Sequence, residues 1–238
     1  MADYGFGNPE LIEEEVDILI IGGGMAACGT AVEIMRWADG KNLNIKLVDK
    51  AALSRSGAVA QGLSAINTYM GENDPSDYVR YVRRDLMGII REDLVYDVGR
   101  HVDSSVHLFE EWGLPVWKQR GDEGKKLSQG GKPVRSGRWQ IMINGESYKW
   151  IVAEAAKKAL GMENIHEHTF IVKLVKDKND ANRVAGAVGF SVREHKVLVY
   201  KFKCCVLACG GAVNVFRPRS IGEGLGRTWY PVWNAGST

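Results

Sequence analysis

The sequence predicts an α/β fold that begins with a βαβ unit. An apolar run, Asp17 to Gly24, has the length of a strand and ends in three glycines. Met25 to Ala38 then carries apolar residues at the spacing of a helix face, and a second apolar run, Ile45 to Val48, ends in Asp49. This order of elements requires two nearly parallel strands joined by a right-handed crossover.

The composition is that of a globular protein and argues against several functional classes. Of the 238 residues, 45% are hydrophobic and 25% are charged, which is close to average usage. The formal net charge of +2 gives little support for nucleic-acid binding. The acidic start lacks the features of a secretory signal, and no apolar run approaches the roughly 20 residues that span a bilayer. We therefore expect a cytoplasmic protein.

A helical insertion follows the βαβ unit. Apolar residues recur at helical spacing from Asp77 to Trp112, which predicts a helix with Ser76 as its N-cap and Gly113 as its end. Lys118 to Arg138 holds seven basic residues and five glycines, which predicts a loop or weak hairpin. A solvated basic loop is the favoured interpretation, and a surface that docks a partner or an anion is the alternative.

A further helix and three strands complete the predicted elements. Tyr148 to Leu160 is predicted to be a helix that stops at Gly161. Three β-rich runs separated by turn residues then predict a small antiparallel meander. The runs are Thr169 to Val175, Val184 to Val192 and Val197 to Val206.

The glycine turn has the pattern of a dinucleotide site. Gly22, Gly24 and Ala27 form G-x-G-x-x-A between a predicted strand and a predicted helix. Gly22 would allow the tight turn, Gly24 the approach of a pyrophosphate, and Ala27 close packing of helix on strand. Asp49 could accept hydrogen bonds from a ribose diol. We assign the neighbouring residues Met25, Ala26 and Lys50 to the same site.

The βαβ unit alone does not distinguish NAD from FAD. The stretch from Ser56 to Ala65 is made mostly of small residues. Its backbone could run close along a planar ligand such as an isoalloxazine ring, or it could form a helix packed closely through alanines and glycines. The residues by themselves leave both interpretations open.

Four sequence blocks in a fixed order carry a family resemblance. After the first glycine unit come Ala60-Gln61-Gly62, Ala208 to Gly211, and Gly222 to Gly224. This order resembles the fumarate reductase and succinate dehydrogenase flavoproteins, and it implies a Rossmann-like FAD-binding domain of the GR2 type. The further cofactor contacts that the resemblance implies are Ser56, Gly57, Ala60, Gln61, Gly62, Leu63, Ser64, Ile171, Ala208, Cys209, Gly210, Gly222, Glu223 and Gly224.

Three of these positions depart from the usual family pattern. Cys209 stands where most members have Thr, and Glu223 stands where most have Asp. Ser56 occupies the position of the histidine that several members link covalently to FAD. Serine cannot form that link, so the resemblance implies a noncovalent flavin.

Longer stretches resemble the adenylylsulfate reductase branch of this family, among them residues 56–69, 81–117 and 222–238. The implied reaction is the reversible reduction of adenosine 5'-phosphosulfate to AMP and sulfite through a flavin N5–sulfite adduct, in dissimilatory sulfur metabolism. The implied partner is an iron–sulfur beta subunit that carries the clusters. Asn67 and Trp229 are the expected substrate-side residues. A turn amide and a core aromatic are their alternative interpretations.

The resemblance also implies that residues 1–238 are part of an FAD-binding domain. The dinucleotide unit and flavin-facing stretch would occupy residues 17–67, and the meander residues 165–207. The family's capping domain and returning C-terminal segment would lie outside the chain, so we do not expect turnover from it alone.

Other functions remain alternatives to this interpretation. They are a fumarate reductase, succinate dehydrogenase or aspartate oxidase flavoprotein, and a non-catalytic FAD-binding fragment. An NAD-dependent dehydrogenase is disfavoured, because the later glycine blocks have no role in it. The spacing of Cys28, Cys204, Cys205 and Cys209 fits neither metal ligands nor a disulfide framework. We expect reduced, buried cysteines and no metal site.

Overall fold

The computed structural model describes residues 7–61, 65–70, 74–114, 137–142 and 145–211. The chain divides into two compact units, one formed by residues 1–61 and 152–238 and the other by residues 62–151. The strands, numbered along the chain, are β1 (Glu10–Ile21), β2 (Ile45–Val48), β3 (Ala65–Met70), β4 (Gly137–Met142), β5 (Ile165–His166), β6 (Thr169–Lys176), β7 (Val184–Ser191) and β8 (Lys196–Leu207). The helices are α1 (Met25–Ala38), α2 (Pro75–Asp85), α3 (Glu92–Glu111) and α4 (Gly145–Leu160).

The first unit is built on a six-stranded sheet in the order β5-β2-β1-β8-β7-β6. Strands β5, β2, β1 and β8 are mutually parallel, whereas β6, β7 and β8 form an antiparallel meander. The predicted βαβ unit, its helix bounds and the meander are confirmed. The sequence did not predict that β8 also pairs with β1, from Glu10 opposite Lys196 to Ile21 opposite Leu207. That pairing makes the meander and the βαβ unit one sheet.

Strand β1 begins seven residues before the predicted start at Asp17. Its acidic first half lies beside basic residues of β8, which explains the extension. Lys201 Nζ lies 2.8 Å from Glu13 Oε2, and Lys203 Nζ lies 2.6 Å from Asp17 Oδ1. The hydrogen bond from Lys203 holds the pKa of Asp17 below its usual value. Each exposed pair contributes little to stability, but opposite charges favour this strand as the neighbour.

The core of the first unit lies on the sheet. Leu19, Ile20 and Leu47 are fully buried, and α1 covers the sheet through small residues, of which Ala27 and Ala31 are fully buried. All four cysteines are free, as expected, but only Cys28 is buried and Cys204 is exposed. The expectation of four buried cysteines was therefore wrong for the residues on β8 and after it. That strand alternates between core and solvent.

The second unit contains α2, α3 and a two-stranded antiparallel sheet formed by β3 and β4. The single helix predicted from Asp77 to Trp112 is wrong, because residues 86–91 separate two helices. Met87 and Gly88 adopt positive φ angles of 51° and 84°, which no continuous helix allows. The apolar residues of this turn, Leu86 and Ile89, are exposed, so their helical spacing did not indicate a buried face.

The helix ends show which local signals were correct. The predicted N-cap at Ser76 is wrong: Asp74 caps α2, and its Oδ1 accepts a hydrogen bond from the Ser76 N–H at 2.9 Å. Pro75 then occupies the first helical turn, as its fixed φ favours. Gly113 and Gly161 have φ angles of 93° and 80° and follow the ends of α3 and α4, as predicted.

Two predicted features need qualification. Strand β4 begins inside the segment predicted to be a loop or weak hairpin, and the rest of that segment, residues 118–136, lies outside the described residues. Strand β3 lies where no strand was predicted.

None of the helices described here is long and apolar enough to cross a bilayer. Within the described ranges, no group of three or more His, Cys, Asp or Glu residues could hold a metal ion.

A titratable cluster lies on the sheet of the first unit. His166 Nδ1 lies 2.6 Å from the hydroxyl of fully buried Tyr200, and His166 Nε2 lies 3.8 Å from Glu14 Oε1. Burial lowers the pKa of His166; the Glu14 carboxylate opposes this shift and the Lys46 ammonium adds to it. The folded chain therefore favours neutral His166.

We expect substitution Gly22→Ala to destabilise the chain strongly. Gly22 has a φ of 116°, and an added Cβ would lie 2.3 Å from the Ala208 carbonyl oxygen. The backbone strain alone costs about 1–3 kcal/mol. Gly29→Ala is the matched control, because Gly29 lies inside α1 with no atom within 4 Å of the added Cβ. The control should gain about 0.5–1 kcal/mol in the free energy of unfolding. Equal effects in denaturant titrations would contradict this account of the turn.

We also expect acidification below neutral pH to destabilise the chain through His166. The unfolded chain binds this proton more readily than the folded chain, because burial lowers the folded pKa. Stability is therefore complete above the unfolded pKa, about 6.5, and is lost as the pH falls from there through the folded pKa.

The test compares the free energy of unfolding at pH 7.5 and at pH 5.5, which lie about one unit above and below the unfolded pKa of histidine. His166→Asn should show a smaller loss than the unaltered chain, because asparagine does not titrate. His101→Asn, on an exposed face of α3, is the control substitution. An unchanged pH dependence in His166→Asn would show that this cluster is not the source.

Candidate functional site

The β1–α1 turn lies between two neighbouring strands. The Gly22 N–H donates to the Val48 carbonyl at 2.8 Å, and the Ala208 N–H donates to the Ile21 carbonyl at 2.8 Å. The tight turn predicted at Gly22 is present. Its close approach to Ala208, which excludes a side chain, was not predicted. The turn is therefore fixed at the carboxyl ends of β1, β2 and β8.

Gly23, which the sequence analysis did not single out, faces the acid at the end of β2. A Cβ added to Gly23 would lie 2.6 Å from Asp49 Cγ. The Asp49 side chain is buried, with 6% of its surface exposed, and its Oδ2 accepts a hydrogen bond from the Ala51 N–H at 3.1 Å. The middle glycine in the run of three was the available signal, because only glycine leaves room for this carboxylate.

The first turn of α1 is open to an anion. Gly24 is the N-cap and supplies no side-chain hydrogen bond, and the first turn contains no acidic residue. Met25 and Ala26 are exposed, whereas Ala27 is fully buried, as its predicted packing role requires. The positive end of the helix dipole therefore lies at an accessible surface that favours a phosphate group.

The segment after β2 returns to the same place. Two short 3-10 turns, Leu53–Arg55 and Ala58–Gln61, lie on either side of Ser56, which is buried, and Gly57. Gly57 has a φ of 83°, and an added Cβ would lie 2.8 Å from the Gly24 Cα. Residues 53–61 therefore do not form a closely packed regular helix. Their backbone instead meets the N-terminus of α1.

The end of β8 completes this edge of the sheet. Cys209 Sγ donates to the Ile21 carbonyl at 3.6 Å, and Gly210 follows with a φ of 85°. Burial raises the pKa of the Cys209 thiol, with a smaller contribution in the same direction from Asp49. The Cys209 thiol is therefore protonated at neutral pH and contributes no charge to the site.

The predicted contacts Lys50 and Ile171 are less closely joined to the glycine turn. Lys50 Nζ lies 5.7 Å from the centroid of the Phe170 ring. The next residue, Ile171, is half-buried on β6, where it pairs with Gly189 and packs against the core. Lys50 and Ile171 thus belong to the same unit as the glycine turn. No described contact joins Ile171 to that turn.

The remaining predicted residues lie elsewhere or outside the description. Ala60 and Gln61 are in the second 3-10 turn. Asn67 lies in β3 opposite Gln140, in the second unit. Those that lie outside the described residues are Gly62, Leu63, Ser64, Gly222, Glu223, Gly224 and Trp229.

The assembled part of the site fits a dinucleotide. Backbone segments around Gly24, Gly57 and Ala208 meet at the carboxyl ends of parallel strands, where α/β folds bind ligands. The open α1 terminus can receive a pyrophosphate, and the Asp49 carboxylate lies at the end of β2, where a ribose would be held. Redox chemistry at such a site would come from the bound cofactor.

Comparison with known proteins supports this interpretation. The chain is 65% identical over 97% of its length to the adenylylsulfate reductase subunit alpha of Megalodesulfovibrio gigas, and it covers 37% of that protein. The solved adenylylsulfate reductase of Archaeoglobus fulgidus superposes with a TM-score of 0.79 at 57% identity, over 96% of this chain and 35% of the other.

A second solved structure is an adenosine-5-phosphosulfate reductase in complex with sulfite, described as a covalent adduct. It superposes with a TM-score of 0.78 at 57% identity, over 96% of this chain and 35% of that one. The chain thus spans little more than a third of the length of these relatives. Residues 17–234 match the family described as FAD binding domain, and the chain therefore belongs to that family.

Proposed function

We propose that this chain is the FAD-binding part of an adenylylsulfate reductase alpha subunit. The observation that carries the proposal is the meeting of the Gly24 and Gly57 backbones at the open end of α1, in a chain of this family. The high identity to the relative from Megalodesulfovibrio gigas supports the choice of reductase within the family. The proposed overall reaction interconverts adenosine 5'-phosphosulfate with AMP and sulfite.

The chain's own residues would hold the cofactor mainly through backbone. The N–H groups at the start of α1 would bind the pyrophosphate, and Asp49 would accept hydrogen bonds from the ribose. Ser56 and Gly57 would line the flavin, with Ala60, Gln61, Gly62, Leu63 and Ser64 continuing along it. Ser56 forms no covalent link of the kind that histidine makes, so the flavin would be bound noncovalently. FAD supplies two-electron chemistry when bound.

The substrate side is proposed to include Asn67 and Trp229. An amide can donate a hydrogen bond to an anionic sulfate or phosphate oxygen, and an indole can stack on an adenine. In the reductive direction, the bond between sulfur and the phosphate oxygen of the substrate breaks and AMP leaves. Two electrons bring the sulfur from the sulfate to the sulfite oxidation level. An iron–sulfur beta subunit is the proposed electron partner.

The proposal predicts a flavin that responds to sulfite. We expect the purified chain to retain FAD after desalting, and sulfite to bleach the visible flavin band. Acid precipitation should release all of the flavin, because no covalent link is expected. Retained flavin that does not respond to sulfite would contradict the choice of reductase and leave only the assignment to the FAD-binding family. Failure to retain FAD would contradict the proposed cofactor site in this chain.

The proposal also predicts that Gly57→Ala weakens FAD binding. The added Cβ would push the flavin-lining segment away from Gly24, and we expect a loss of about tenfold in affinity, or 1.4 kcal/mol. Gly40→Ala is the matched control, since Gly40 has a similar φ of 72° but no atom within 4 Å of an added Cβ. It should lose stability through the same backbone strain and keep its affinity for FAD. Equal affinities of the two variants, measured by flavin fluorescence, would contradict the assignment of Gly57.

A further inference from the structure

The turn between β5 and β6 binds the segment that follows β2. The Asp49 N–H donates to the His166 carbonyl at 3.0 Å, and the Thr169 N–H donates to the Asp49 carbonyl at 2.8 Å. A third bond uses a side chain: the Leu53 N–H donates to Glu167 Oε1 at 2.7 Å. Residues 49–53 are thus held by a turn more than a hundred positions later in the chain.

The bond to Glu167 gives the Leu53 N–H a carboxylate acceptor at the start of a helical turn. Leu53 begins a 3-10 turn, and Ala52 before it supplies no side-chain cap. The first N–H groups of a helical turn have no partner inside that turn. A carboxylate acceptor also makes this hydrogen bond stronger than one between neutral groups. Because the Leu53 side chain is fully buried, the position of the turn is fixed from two sides.

The position of Leu53 determines the position of the proposed flavin-lining residues. The Ser56 N–H donates to the Leu53 carbonyl at 3.4 Å, and the Ser56 side chain is buried with 3% exposed. Gly57 follows directly and lies so near Gly24 that an added Cβ would be 2.8 Å from the Gly24 Cα. A shift of Leu53 would therefore be transmitted through one turn to the start of α1.

We infer that Glu167 is a positioning residue for the cofactor site, whose carboxylate holds the Leu53 turn so that Ser56 and Gly57 reach the N-terminus of α1. This inference rests on the proposed FAD site. Glu167 acts through Leu53 and not through contact with the cofactor. Glu167 lies in the turn just before β6, the strand that carries Ile171. Its carboxylate connects that turn to the segment proposed to line the flavin.

Two substitutions separate the reach of the Glu167 side chain from its charge. Glu167→Asp keeps the negative charge but shortens the side chain by one methylene, so the carboxylate no longer reaches the Leu53 N–H. Glu167→Gln loses the charge but keeps an oxygen at the same reach. A side chain that serves only general electrostatics would be preserved better by aspartate than by glutamine.

We expect Glu167→Asp to weaken FAD binding by about tenfold, the effect of losing a charge-assisted hydrogen bond. Glu167→Gln should stay within about threefold of the unaltered chain, because it keeps a neutral hydrogen bond. Without FAD, hydrogen exchange of the Leu53 amide should become faster in Glu167→Asp and remain slow in Glu167→Gln.

Glu13 provides the control pair. It lies on β1 of the same sheet, is about half exposed and forms a surface ion pair with Lys201. Glu13→Asp and Glu13→Gln make the same chemical changes away from the site. Both should retain the FAD affinity and the Leu53 exchange rate of the unaltered chain.

The outcomes separate this inference from the proposed function. If the unaltered chain and the Glu13 variants bind FAD and Glu167→Asp binds it equally well, the inference is overturned and the FAD site stands. The inference is also overturned if glutamine is the more damaging substitution. If the unaltered chain does not bind FAD, the proposed function fails. In that case, the Leu53 amide could still be protected from hydrogen exchange in the unaltered chain and lose that protection in Glu167→Asp. This result would support the hydrogen bond between Leu53 and Glu167.

Discussion

The candidate site depends on the close approach of three backbone segments to residues 22–24. Gly22 lies against the Ala208 carbonyl, Gly23 against the Asp49 carboxylate, and Gly24 against Gly57. A Cβ added to Gly22, Gly23 or Gly57 would clash with the neighbouring atoms. A Cβ added to Gly24 would lie 3.8 Å from the Gly57 Cα and would fit. Packing therefore requires glycine at positions 22, 23 and 57, and the positive φ angles of Gly22 and Gly57 add a backbone requirement.

This constraint explains why the sheet is organised as it is. Strand β1 must lie between β2 and β8, because only then do Val48 and Ala208 both bond the residues at its end. Ion pairs between acidic side chains of β1 and lysines of β8, which lie away from this turn, favour the same strand order. Because glycines 22–24 and 57 meet at this edge, the proposed recognition relies on backbone N–H groups, the α1 dipole and the buried Asp49 carboxylate.

Local sequence patterns predicted the elements that depend on local interactions. The bounds of α1 and β2, the ends of α3 and α4, and the meander followed from periodicity and from glycine. The β1–β8 pairing did not, because parallel partners nearly two hundred residues apart leave no local signal. The break between α2 and α3 was missed because Leu86 and Ile89 continue the apolar spacing through an exposed turn. Gly23 and Glu167 were missed because their roles depend on distant partners, Asp49 and Leu53.

The location of the cofactor on the chain is the central claim, and amide chemical shifts of the isotope-labelled chain during titration with FAD test it most directly. We expect the largest changes at residues 22–27, 49–51 and 56–57, which would be contiguous in space although they are separate in sequence. Changes confined to the second unit, or spread evenly over the chain, would contradict the proposed site at the ends of β1, β2 and β8.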